Sequence, residues 1–137
     1  MWGSVVVLAC ALEVLRLPED RFYPIKFEDV TPPGVSRNAE AFATFYPPTI
    51  HILTSSAVFR EATRAKQQCG SREAIAKIAS MLVHEQWHLK NGVEEYGAYR
   101  AQLIALAMLG FPEHTNVYHG VLLAMLHTRQ IQGGHAP

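Results

Sequence analysis

The sequence has no excess of either charge and very little cysteine. Its 137 residues include 12 Lys and Arg against 12 Asp and Glu, so the formal net charge is zero. A protein that binds nucleic acid through phosphate contacts usually has a basic surface, so this balance argues against such a partner. The two cysteines, Cys10 and Cys69, lie far apart and form no C-x-x-C pair, which indicates neither a disulfide framework nor a zinc knuckle.

The sequence also lacks a hydrophobic run of the roughly 20 residues that a membrane-spanning helix needs. Residues 1–11 contain an apolar run that could be the core of a signal segment, but they lack the Lys or Arg that normally comes before such a core. An amphipathic helix within residues 1–17 is favoured instead. Its apolar positions recur at helical spacing, at Val5, Leu8, Leu12 and Leu15. We therefore expect a cytoplasmic protein, or a secreted or lipid-anchored one if residues 1–11 are a signal segment.

The length and the 49% share of hydrophobic residues are those of one folded domain, so residues 1–137 are interpreted as a single domain. We find no repeats and no low-complexity segment. Short strands are predicted early in the chain, over residues 22–30, 41–46 and 49–53. Longer helices are predicted after them, over residues 57–68, 71–90, 93–109 and 116–131. This order predicts an α+β fold.

Residues 84–88 read His-Glu-Gln-Trp-His, an H-E-x-x-H motif within a predicted helix. Residues four apart lie on one face of a helix, so His84 and His88 can bind one metal ion. Glu85 is turned from this pair by about 100°, which lets its carboxylate reach a water on the metal. Two ligands and a base are what zinc hydrolysis requires. The alternative is an exposed helix with two ordinary histidines, since chance produces the pattern in roughly one chain in a few hundred.

A third ligand is available soon after the motif. The Asn91-Gly92 pair predicts the end of the motif helix, and Glu94 and Glu95 then fall in the first turn of the next helix. A carboxylate from this turn would leave the fourth zinc position for water, as in catalytic sites. Glutamates are also common in a first helical turn because the helix dipole favours them. The residues themselves leave open which glutamate is the ligand.

The motif His84-Glu-Gln-Trp-His88, followed by Glu95-Tyr-Gly-Ala98, resembles the zincin metallopeptidases of the gluzincin type. The short chain is similar to the minimal gluzincins, or minigluzincins, and the resemblance covers roughly residues 40–110. In this family the motif helix is followed by a glutamate helix, often with an E-x-x-A pattern, which Glu95 fits. Gluzincins commonly place the third ligand further downstream, whereas only six residues separate it from the motif here.

The resemblance implies a zincin-like fold with a small N-terminal sheet, then the motif helix, the glutamate helix and a C-terminal helix. It implies that His84, His88 and Glu95 bind Zn²⁺ and that Glu85 is the general base. It further implies that residues 49–53 form the edge strand above the cleft, where a peptide substrate adds as another strand. The leading hypothesis is therefore a zinc metallopeptidase that acts on a peptide or protein substrate.

A second hypothesis is a zincin-like metal-binding module, whose site is silent, latent or regulatory and which acts through protein partners. A fourth protein ligand, such as His135 from the tail, would favour this module, and an open water position would favour the enzyme. A third hypothesis is iron in the same site, since two histidines and one carboxylate also bind iron.

A peptidase also needs a hydrogen-bond donor for the oxyanion that forms on the attacked carbonyl. The sequence offers Tyr99, Tyr118 and His119 but does not position them. His114 and His127 are interpreted as surface or core histidines rather than ligands.

Overall fold

The computed structural model describes residues 2–134 of the chain, and side chains are described for residues 2–128. Within them lie five α-helices, α1 (Ser4–Leu15), α2 (Ala57–Arg64), α3 (Arg72–Asn91), α4 (Glu95–Met108) and α5 (Asn116–Gly134), and a single turn of 3-10 helix at Glu19–Arg21. The strands are β1 (Ile25–Glu28), β2 (Ala41–Phe45) and β3 (Pro48–Leu53). The α+β class predicted from the sequence is confirmed. No helix among the described residues has the length and apolar character that crossing a membrane requires.

The three strands form one mixed sheet in the order β1-β3-β2, with β3 in the centre. β1 runs parallel to β3, while β2 runs antiparallel to it. The expectation that residues 49–53 form the edge strand is therefore wrong, and β2 is the edge strand beside the helices. The sequence misleads here because Pro47-Pro48 suggests an edge. Pro47 lies in the turn and Pro48 is the first residue of β3, a position where a strand tolerates proline.

α3 is the central helix, and it separates two hydrophobic clusters. On one side, Ile75, Ile78 and Leu82 pack with α1, α2 and the sheet, where Ile50 and Ile52 are fully buried. On the other side, a smaller cluster joins α3 to α4 and α5. Because α3 contacts both clusters, its polar C-terminal face is held between the sheet and the last two helices.

α1 forms where a helix was expected, but part of its predicted buried face is wrong. Val5 is 79% exposed, whereas Val7, Cys10 and Ala11 are buried. The helix is apolar around much of its circumference, so apolar spacing alone does not define one face.

Cys10 and Cys69 form a disulfide between α1 and the loop that precedes α3, with their Cα atoms 5.6 Å apart. The expectation that these two cysteines indicate no disulfide is therefore wrong. A separation of 59 residues leaves no local signal, and only the packing of α1 against α3 brings the pair together.

Candidate metal centre

The C-terminal half of α3 holds His84, Glu85 and His88 on its buried face. Their exposed fractions are 6%, 7% and 8%, so the motif does not lie on a solvated helix surface. Within the described residues, their candidate ligand atoms all lie within 4.8 Å of one another. Buried polar side chains need partners, and three in one cluster form a group that could hold a metal ion.

α4 brings a further carboxylate to this group. Gly92 ends α3 with a φ of 111°, a positive value that glycine adopts freely, and the chain reverses there. Glu95 is the first residue of α4, and its Oε1 lies 3.3 Å from His84 Nε2 and also contacts His88 Nε2. Glu95 therefore faces both histidines.

Glu94 has a different place. It is the N-cap of α4, and its two carboxylate oxygens accept hydrogen bonds of 3.2 and 3.0 Å from the backbone N–H of Gly97. This is the usual role of an acidic N-cap residue. Of the two glutamates that the sequence left open, the structure places only Glu95 at the histidines.

The Nδ1 atoms of both histidines are engaged on the side away from Glu95. His88 Nδ1 lies 2.8 Å from the Gly92 carbonyl oxygen, which can only accept, so Nδ1 carries the proton and donates. His84 Nδ1 lies 2.9 Å from Oε1 of Gln102, a residue of α4. Each imidazole therefore presents Nε2 to the centre of the cluster, the arrangement that metal-binding histidines show.

The carboxylates of the cluster have pKa values shifted in opposite directions. Burial alone would raise the pKa of Glu95, but its close contacts with the imidazoles of His84 and His88 outweigh it and lower the pKa to about 2. Burial raises the pKa of Glu85 above its usual range, although both histidines oppose this shift. Glu95 is thus held as an anion, whereas Glu85 has a greater affinity for a proton. Opposite shifts in neighbouring carboxyls are a feature of acid–base sites.

The cluster opens into a cleft of about 750 Å³ between β2, α3, α4 and α5. Ala41, Ala43 and Phe45 contribute to its wall from β2, while Gly120 and Ala124 line it from α5. Glu85 Oε2 lies 3.9 Å from His84 Nε2, beyond hydrogen-bond distance. Because Glu85 also lines the cleft, its carboxylate can meet a molecule bound there.

The proposed oxyanion donors lie in different places. Tyr99 lines the cleft, and its ring meets the edge of His84 with ring centroids 4.6 Å apart. Burial and the nearby charges of Glu95 and Glu85 raise the pKa of Tyr99, so it keeps its hydroxyl proton. Tyr118 packs against the second hydrophobic cluster, and His119 is exposed.

One histidine and one glutamine lie at the cleft or the cluster although the sequence did not indicate it. His114 is exposed, as expected, and His135 lies outside the described residues. His127, which was interpreted as a surface or core histidine, lines the cleft from α5. Gln102 was not considered because a glutamine 18 positions from His84 has no motif signal. Helical spacing indicates only that Gln102 shares a face of the helix with Glu95, since it lies seven residues, or about two turns, later; it does not indicate that this face meets His84.

No family model, no curated protein and no solved structure matches this chain. The resemblance to gluzincins therefore depends on the motif residues and their spacing.

Proposed function

We propose that this protein is a zincin-like metallopeptidase of the gluzincin type, which binds zinc through His84, His88 and Glu95. The observation that carries the proposal is the convergence of these three side chains. Two Nε2 atoms and one carboxylate oxygen meet at a partly buried point beside a cleft. Two imidazoles and one carboxylate are a donor set typical of catalytic zinc.

The residues around this point fit a metal ion by their chemistry. Both Nδ1 atoms are engaged by acceptors, which leaves the Nε2 lone pairs for the ion. Glu95 has a lowered pKa and so is available as an anion at neutral pH. When bound, zinc would polarise the substrate carbonyl and make water a stronger nucleophile.

The remaining side chains supply acid–base chemistry. Glu85 accepts the proton of the attacking water on its carboxylate and returns it to the amine that leaves. Its raised pKa favours this exchange, because a base works best when its pKa is near the working pH. Tyr99 is the donor we assign to the oxyanion, since it lines the cleft and keeps its hydroxyl proton.

The substrate would bind as an additional strand along β2. Leu53 donates its backbone N–H to the Glu40 carbonyl, and this bond sets the alternation of the β2–β3 ladder. In an antiparallel pair, every second residue turns both backbone groups away from its partner. Ala41 and Ala43 are such residues, so their N–H and C=O groups are available to an extended peptide.

The disulfide bears on the cellular location that we propose. Disulfides persist in oxidising compartments and are rare in the cytosol, where thiols are kept reduced. The Cys10–Cys69 bond therefore favours an oxidising compartment over the cytoplasmic location expected from the sequence.

The test combines metal analysis with a single substitution. Protein purified without chelator is analysed for zinc and iron, and hydrolysis of a fluorogenic peptide library is measured for wild type and Glu85→Gln. We expect equal zinc content and a loss of activity of about 10²–10⁴-fold in the variant. Full activity in Glu85→Gln would contradict the mechanism. Bound zinc without hydrolysis of any peptide by the wild type would support the metal-binding module instead, and bound iron would support the third hypothesis.

A further inference from the structure

A chain of three hydrogen bonds runs through the buried space between α3 and α4 and ends on His84. Ser80 Oγ donates to the Lys77 carbonyl oxygen over 2.7 Å, and Gln102 Nε2 donates to Ser80 Oγ over 3.1 Å. Gln102 Oε1 then faces His84 Nδ1 at 2.9 Å. Ser80 is fully buried and Gln102 is 4% exposed, so water does not compete for these groups.

The first acceptor decides which group donates and which accepts in each of these hydrogen bonds. The Lys77 carbonyl has no proton, so the single hydroxyl proton of Ser80 must point to it. Ser80 Oγ then offers only lone pairs to the Gln102 side chain, and the NH₂ end of the amide turns toward Ser80. The oxygen end is left for His84, so His84 must donate from Nδ1.

The reverse orientation of the amide would have a chemical consequence at the metal site. With the NH₂ group toward His84, Nδ1 would have to accept a hydrogen bond, and a neutral imidazole would then carry its proton on Nε2. A protonated Nε2 has no lone pair for a metal ion. The amide orientation therefore decides which nitrogen of His84 is available.

We infer that Gln102 is a positioning residue for the metal site, which Ser80 orients so that His84 Nε2 is kept as a metal-binding lone pair. The inference rests on the proposed zinc site but not on the proposed peptidase activity. Partners of metal-binding histidines typically contribute 10–100-fold to metal affinity.

The experiment measures zinc affinity by competition with a chromophoric chelator, together with the visible absorption spectrum of the Co²⁺-substituted protein. Gln102→Met removes both amide hydrogen bonds at similar volume. The matched control is Gln86→Met, because Gln86 lies on α3 and also makes two amide hydrogen bonds, to Tyr23 N–H and the Arg21 carbonyl. Both partners belong to the segment before β1, so this variant shows the cost of losing two such bonds without removing a partner of His84.

We expect Gln102→Met to lower zinc affinity by about 10–100-fold and to change the Co²⁺ spectrum, while Gln86→Met changes neither. Gln102→Glu should restore most of the affinity, because a carboxylate still accepts from His84 Nδ1. Ser80→Ala should cause a smaller loss, because the amide remains but is no longer oriented. If Gln102→Met does not fold, Gln102→Glu and Ser80→Ala still test the inference.

Equal zinc affinity in Gln102→Met and Gln86→Met would overturn the inference. So would equal losses in Gln102→Met and Gln102→Glu, since that result would indicate a packing role. These outcomes differ from failure of the proposed function. A wild-type protein that binds zinc tightly but cleaves no peptide would contradict the peptidase and leave the role of Gln102 intact, whereas a wild-type protein that binds no zinc would overturn both.

Discussion

Replacing Gly97 with Ala should move Glu95 away from the histidines without touching any of the three. Gly97 lies in the first turn of α4, directly against the ring of Trp87 on α3. A Cβ built on Gly97 would lie 2.2 Å from Cζ2 and 2.6 Å from Cη2 of Trp87. Carbon atoms in contact are normally about 3.5–4.0 Å apart, so the helix and the ring must separate by about 1 Å or more.

The change in stability is the difference of two effects. Forcing a methyl group into a packed site costs about 1–3 kcal/mol, while replacing glycine by alanine within a helix gains roughly 0.5–1 kcal/mol. We expect a net loss of about 1 kcal/mol in the free energy of unfolding, measured by urea titration of the metal-free protein. Gly120→Ala is the control for stability, because nothing lies within 4 Å of a Cβ at that helical position. It should stabilise the protein by roughly 0.5–1 kcal/mol.

The loss in catalysis, expressed as a free energy, should exceed the loss in the free energy of unfolding. Glu95 lies two residues before Gly97, so a shift of the first turn of α4 displaces its carboxylate from His84 and His88. A misplacement of about 1 Å can reduce catalysis by about 10²-fold. We expect that loss in kcat/KM, together with weaker zinc binding in chelator competition. Trp87→Leu in the Gly97→Ala background should recover part of the kcat/KM and part of the zinc affinity, because the smaller side chain makes room for the methyl group. Unchanged zinc affinity in Gly97→Ala would refute the idea that this contact holds Glu95 in place.

Three further predictions concern the glutamates, the disulfide and the edge strand. Glu95→Ala should abolish tight zinc binding, whereas Glu94→Ala should keep it and lower the free energy of unfolding by about 1 kcal/mol, because the helix loses its cap. The opposite result in chelator competition would exchange the roles of the two glutamates. Reduction of the Cys10–Cys69 bond, which closes a separation of 59 residues, should lower stability by about 2–4 kcal/mol, and an unchanged melting temperature would contradict this. Ala43→Pro should raise KM with little loss of stability, because the Ala43 N–H points away from β3; an unchanged KM would exclude substrate pairing there.

Much of the local structure was predictable because local interactions determine it. Ser71 and Gly92 flank α3 as the sequence indicated, and the apolar spacing of Ile75, Ile78 and Leu82 identified its buried face. The shared face of His84 and His88 follows from the helical period alone. These features need no knowledge of the rest of the chain.

Other features were outside the reach of sequence patterns. The central strand was mistaken for the edge strand, because a proline pair looks the same in a turn and along an edge. Gln102 and His127 carry no motif, and they reach the cluster or the cleft only because α4 and α5 pack there.

The sequence by itself determined that His84, Glu85 and His88 lie next to one another, since a helix places residues 84, 85 and 88 on neighbouring positions whatever surrounds it. Only the tertiary structure decided which glutamate meets them. Glu94 and Glu95 are consecutive residues, and the sequence does not fix to one residue where the helix begins, so it does not distinguish the N-cap from the first helical position. The reversal at Gly92 and the packing of Trp87 on Gly97 set the rotation and distance of α4. As a result, Glu95 faces the histidines and Glu94 caps the helix.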